Sequence, residues 1–142
     1  MKPQSQNERQ SRGFARPGKC KLLLVDEDLD DLRVYSNVLG HLGYDVHSFN
    51  SYGEAAATVG NEAFDLVIVS QGTSNFEGRR VLASAIEKDR HTPVLVLTNS
   101  VEIPCYLEAM QLGALDYLER PLSPSEIGEL VAKHLQVKPG QA

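Results

Sequence analysis

The sequence predicts an α/β domain: a doubly wound, five-stranded parallel sheet in the order 2-1-3-4-5, with five helices in a three-layer α/β/α arrangement. Three apolar runs carry the prediction. "KLLLV" from Lys21, "FDLVIV" from Phe64 and "TPVLVLT" from Thr92 lack a polar face, so helices must cover both sides of those strands. Strand-like and helix-period segments also alternate strictly along the chain. Successive βα units joined by right-handed crossovers wind a parallel sheet. In the 2-1-3-4-5 order, functional groups gather at the carboxyl ends of strands 1 and 3.

The elements follow in order. Residues 1–19, rich in Gln, Ser, Arg, Pro and Gly, read as a basic tail with Phe14 as the single large apolar residue. The domain is expected over 20–137, with 138–142 as a short tail. "KLLLVDED" is a strand running into acids. "RVYSNVLGHLG" places Val34 or Tyr35, Val38 or Leu39, and Leu42 on one helical face, with Gly43 as its stop. "YDVHSF" alternates like a strand, and "SYGEAAATVG" is a helix expected to end at Gly60. After "FDLVIV" comes the helix "RRVLASAIEKD". After "TPVLVLT" comes "IPCYLEAMQLG", where Pro104 fits only a first helical turn. "ALDYLE" is a short strand. "SPSEIGELVAKHLQ" closes the domain, with Ser123 as N-cap and Pro124 at the first helical position.

Composition excludes several function classes. The chain has 142 residues, enough for one full core, and two cysteines, Cys20 and Cys105, which read as free thiols. No zinc or iron–sulfur spacing exists, no apolar run approaches a membrane span, and no signal segment opens the chain. These features imply a cytoplasmic protein without a membrane partner. Residues 1–19 carry a net charge of +4 and the remainder −9. A globular body this acidic does not suit nucleic acid. The basic tail suits either a solvated extension or contact with nucleic acid or an acidic partner. His41, His47, His91 and His134 lack metal spacing and read as surface or satisfied histidines.

The expected carboxyl ends carry Asp26-Glu27-Asp28, then Ser70, then Thr98, then Glu119-Arg120-Pro121. With "LLLVDED", "FDLVIV", "GRRVL", "PVLVLT" and "LGALDYLERP" in this order and spacing, the chain from about Lys21 to Leu135 resembles the receiver domain of bacterial two-component response regulators, a flavodoxin-like fold. The resemblance implies that Asp26 and Glu27 match an acidic pair that binds magnesium. It makes Thr98 the hydroxyl that touches the phosphoryl group and Tyr117 the switch aromatic that couples site to output face. Arg120 stands where the family has lysine. Ser70 stands where it has the aspartate that takes the phosphoryl group. Asn99 replaces a small residue that leaves access open, and Ser74 replaces a proline.

Two departures decide the expectation. A serine hydroxyl cannot form an acyl phosphate, and no histidine or lysine base accompanies it. Losing the aspartate also removes a magnesium ligand, so metal binding at Asp26 and Glu27 is expected to be weak or vestigial. Arginine is not a conservative lysine, and its planar fork suits a carboxylate. Arg120 is therefore expected to pair with Asp26 or Glu27 in one pocket with Ser70 and Thr98. Simpler readings stand beside these roles. Asp28 and Asp30 suit ordinary N-cap chemistry, Thr98 suits a β-branched strand end, and Tyr117 suits core packing.

The expected function is a pseudo-receiver: a phosphorylation-independent protein-interaction module in signal transduction, neither an enzyme nor dependent on a cofactor. Its docking face would be the fourth helix, fifth strand and fifth helix, about 103–135. The partner, whether histidine kinase or regulator, is not named by the sequence, and a homodimer is open. The alternative is a receiver switched by modification of Ser70 or by a small anion near Thr98 and Arg120. A flavodoxin-type nucleotide site is opposed by "DEDLDD" after the first strand, which repels phosphate.

Overall fold

A computed structural model describes residues 19–120 and 122–136. The expected tails fall outside them, apart from Lys19. The elements are β1 (Lys21–Val25), α1 (Leu29–His41), β2 (Asp45–Phe49), α2 (Tyr52–Asn61), β3 (Leu66–Ser70), α3 (Arg79–Lys88), β4 (Val94–Thr98), α4 (Ile103–Leu112), β5 (Asp116–Glu119) and α5 (Pro124–Gln136). All strands are parallel, in the predicted order β2-β1-β3-β4-β5.

Strand pleating splits the core into two layers. Val67 and Val69 of β3 join Val94 and Val96 of β4 beneath Ala55, Val59, Val81, Leu82, Cys105 and Ala109, so α2, α3 and α4 cover that face. Leu66 and Ile68 join Leu95 and Leu97 beneath Leu32, Tyr35, Leu39, Ile127 and Val131, so α1 and α5 cover the other. Every residue of β3 and β4 is buried, as their unbroken apolar runs require.

Helix starts follow local chemistry. Asp28 caps α1 by accepting from the Asp30 and Asp31 amides, and Ser51 caps α2 through the Glu54 amide. Asp30, expected to share the capping, lies instead in the first helical turn. Ser123 and Glu126 form a reciprocal capping box at the start of α5. Pro104 occupies the first turn of α4, where its missing N–H costs nothing.

Three sequence expectations are corrected. Helix α1 starts at Leu29 and buries Leu32, Tyr35 and Leu39. Val34 and Leu42 are exposed, Leu42 because it is the C-cap beyond the helix. Helix α2 runs through Gly60 to Asn61, since a glycine inside a helix weakens but does not end it. His134 is neither at the surface nor satisfied: its ring is buried, and its Nε2 has no hydrogen-bond partner among the described residues.

Candidate functional site

The carboxyl edge of the sheet gathers the polar residues. Three strands, β1, β3 and β5, hand their last ladder bond to the residue beyond them. The Asp26 amide donates to Phe49 O at 3.1 Å, the Gln71 amide to Leu97 O at 2.7 Å and the Arg120 amide to Thr98 O at 2.8 Å. These bonds fix where the side chains of Asp26, Gln71 and Arg120 start. Gly78 brings the next helix close. A Cβ there would strike the Ser70 carbonyl and the Val69 side chain, so only glycine lets α3 pack this near the end of β3.

Arg120 and Asp26 meet across the edge, although β3 and β4 lie between their strands. Arg120 Nη1 bonds Asp26 Oδ2, and the two side chains are only 4% and 2% exposed. The rest of the guanidinium is also engaged. Nε donates to Asn99 Oδ1 at 2.9 Å and Nη2 to Ser70 Oγ at 3.4 Å. Asp31 adds a second carboxylate 3.8 Å from Nη1. Asn99 is thus a hydrogen-bond partner of Arg120.

Ser70 is almost fully buried. Its hydroxyl donates to Glu27 Oε1 at 3.0 Å and accepts from the Gly72 amide at 3.3 Å. The same Glu27 oxygen accepts from the Tyr52 hydroxyl at 2.5 Å. Burial, then the bond to Glu27, holds the Tyr52 hydroxyl above its usual range. Asn50 donates to the carbonyls of Asp26 at 3.1 Å and Glu27 at 3.0 Å, which orients the acidic turn.

Burial pushes Asp26 up to about 6. The Asp28 amide, which donates to Asp26 Oδ1 at 3.0 Å, and the Arg120 charge oppose that rise without cancelling it. Asp26 is a desolvated carboxylate held by one guanidinium.

Thr98 is the last residue of β4 and is buried. Its hydroxyl donates to Ser100 O at 2.8 Å and accepts from the Ser100 amide at 3.2 Å, so it stabilises its own turn. Tyr117 is buried and turned inward. Its hydroxyl donates to Gln71 Oε1 at 2.5 Å and accepts from the Glu102 amide at 3.2 Å. Gln71 Nε2 in turn donates to Thr73 O at 3.2 Å and Glu102 Oε2 at 3.4 Å.

Magnesium wants open, hard oxygens in near-octahedral order. Here Asp26 Oδ2 is taken by Arg120, Asp26 Oδ1 by the Asp28 amide, and Glu27 Oε1 by Tyr52 and Ser70. The guanidinium stands where a cation would balance these acids. Among the described residues no group of three His, Cys, Asp or Glu is placed to hold a metal. The arrangement does not fit a magnesium ion.

Sequence reading missed Gln71, Tyr52 and Asn50. Tyr52 and Asn50 flank Ser51 just beyond β2, next to the acidic turn, and that placement was the available signal. Gln71 directly follows the acceptor position, but a polar residue in a turn carries no periodicity.

Comparison with known proteins agrees with this fold. The model of the response regulator receiver domain matches residues 22–132. The chain is 31% identical over 124 residues to the alginate biosynthesis transcriptional regulatory protein AlgB of Pseudomonas putida, covering 87% of this chain and 28% of that protein. It is 32% identical over 115 residues to the response regulator protein FleR of Pseudomonas aeruginosa, covering 81% of this chain and 24% of that protein. This chain therefore spans about a quarter of the length of those relatives. A CheY-like receiver domain protein from Methanospirillum hungatei superposes with a TM-score of 0.78 at 24% identity, over 84% of this chain and 95% of that one. A response regulator from Thermotoga maritima gives 0.72 at 24% identity, over 83% and 98%. No helix among the described residues is long and apolar enough to cross a membrane. This chain belongs to the receiver domains of two-component response regulators, which act in signal transduction.

Proposed function

We propose that the chain is a phosphorylation-independent receiver, an interaction domain that docks a protein partner through α4, β5 and α5 without a catalytic step. The observation that carries the reading is Ser70. A buried hydroxyl, already donating to Glu27, occupies the end of β3 where the family's chemistry needs a carboxylate nucleophile. The Arg120–Asp26 pair supports it, because the guanidinium closes the acidic corner to a metal ion. The inward Tyr117, bonded to Gln71, supports it further by giving the output side one resting form without a phosphoryl group.

The alternative, a switch through modified Ser70 or an anion near Thr98 and Arg120, meets two obstacles. Ser70 is 1% exposed, out of reach of a kinase. Arg120 and Thr98 are both committed to protein groups.

The test is incubation with acetyl phosphate and magnesium, followed by intact-mass analysis. The expected result is an unchanged mass. A phosphoryl adduct, mapped to any residue of the acidic corner, would overturn the reading.

A further inference from the structure

Helix α4 is apolar on two sides. Cys105 and Ala109 face the core. Ile103, Tyr106, Leu107 and Met110 are exposed, and they stand at i, i+3, i+4 and i+7, a single stripe along the helix. Such a stripe normally faces a core, and here it faces solvent. Ile103 and Leu107 are 62% and 52% exposed. A continuous ridge of this spacing is shaped to interdigitate with another helix. It is also held in place. The Glu102 amide, at the N-cap of α4, donates to the Tyr117 hydroxyl, and the Tyr106 ring packs edge-on against Tyr117 at 5.7 Å.

Charge narrows the occupant. From Val101 to Gln136 the chain carries six acids, Glu102, Glu108, Asp116, Glu119, Glu126 and Glu129, and two bases, Arg120, which is buried, and Lys133 in the last turn of α5. Among the described residues only Glu108 pairs with a surface cation, Arg79 at 2.6 Å. Glu119 shares the Tyr117 side of β5 by strand alternation, which places it toward α4. A second copy of this chain docked by two-fold symmetry would set these acids against their own kind. A basic segment would find an apolar ridge in a negative field, and the acidic body would also steer its approach.

We infer that the α4 stripe binds an amphipathic helical segment of another protein, apolar on one side and flanked by lysine and arginine. The inference rests on the interaction-module reading and names the chemistry of its partner.

The probes are two synthetic 18-residue helical peptides with the same leucine stripe, one with lysine and arginine on the polar face, the other with glutamate. Each is titrated into the full chain, with amide chemical shifts and fluorescence anisotropy as readouts. The basic peptide is expected to bind, with shifts concentrated at 101–119 and affinity falling as salt rises. Ile103→Ser or Leu107→Ser should abolish binding without unfolding, because both side chains are exposed. Glu119→Gln should weaken binding roughly two- to fivefold, the worth of one exposed ion pair. Four results would overturn the inference: equal binding of both peptides, binding of neither, shifts centred on Leu42 and Gly128 between α1 and α5, or a dimer that Leu107→Ser dissolves. A phosphoryl adduct in the mass experiment would overturn the phosphorylation-independent reading while leaving this peptide result intact, so the two failures are distinguishable.

Discussion

Arg120 and Asp26 form a buried ion pair that joins the ends of β5 and β1 across two intervening strands. The guanidinium also reaches Ser70 and Asn99, so one side chain ties four segments together. Arg120→Ala leaves Asp26 buried without its cation and should lower stability by about 3 kcal/mol in urea denaturation. Arg120→Lys keeps the charge but not the fork, and should cost about 1 kcal/mol. A loss well under 1 kcal/mol for the alanine variant would mean that water or another cation serves Asp26.

Two buried groups give stability opposite pH dependences. Asp26 titrates at about 6 when folded, against 3.8 ordinarily. Between those values the folded state holds more protons than the unfolded one, so Asp26 favours folding as pH falls from about 6 toward 4. His134 is lowered by burial, so it opposes folding as pH falls below its ordinary 6.5. The stability of wild type minus Asp26→Asn should therefore rise on acidification, by at most about 1.4 kcal/mol per pH unit. Wild type minus His134→Gln should fall below pH 6.5. A flat difference in either comparison removes that group from the account.

Gln71 and Tyr117 hold the start of α4. Tyr117→Phe and Gln71→Met each remove one partner of a buried hydrogen bond and should each cost about 1–2 kcal/mol. Their double-mutant cycle should show coupling of about 1 kcal/mol, since one bond is lost in either case. Hydrogen exchange at the Glu102 amide should speed up in both. Unchanged exchange there would disconnect Tyr117 from the presentation of α4.

The sheet was legible because β3 and β4 are apolar at nearly every position, a pattern that only double-sided burial explains. The acidic corner was legible because Asp26, Glu27 and Arg120 follow strands and Ser70 ends one, and the topology brings strand ends together. The phase of α1 was not. Val34 and Tyr35, like Val38 and Leu39, are adjacent apolar residues, and the sequence chooses neither until Asp28 is seen to start the helix at Leu29. Gln71, Tyr52 and Asn50 were hidden for a different reason. Their partners lie 46, 25 and 24 residues away, and such pairings depend on how turns close in space. The bonds of Thr98 to Ser100 were hidden as well, because a hydroxyl at a strand end serves its own turn as readily as a pocket.

The last prediction separates the missing nucleophile from the altered cation. Ser70→Asp places a third carboxylate beside Asp26 and Glu27, as a hard-oxygen metal site requires. Arg120 Nη2 already lies 3.4 Å from Ser70 Oγ. The guanidinium is therefore positioned to take the new carboxylate in two parallel bonds while keeping its hold on Asp26. Magnesium binding by the single variant should return only weakly. Adding Arg120→Lys frees the second guanidinium arm and the contact to Asn99, and a flexible ammonium can withdraw where a rigid fork cannot. The double variant should bind magnesium at least about tenfold more tightly than Ser70→Asp alone, a difference of about 1.4 kcal/mol. Calorimetric titration measures it, and adding Asp26→Asn to the double variant should abolish it. Equal affinity in the single and double variants would mean that Arg120 swings aside at no cost. The native corner would then be closed by the absent carboxylate alone, and Arg120 would be a bystander to its chemistry.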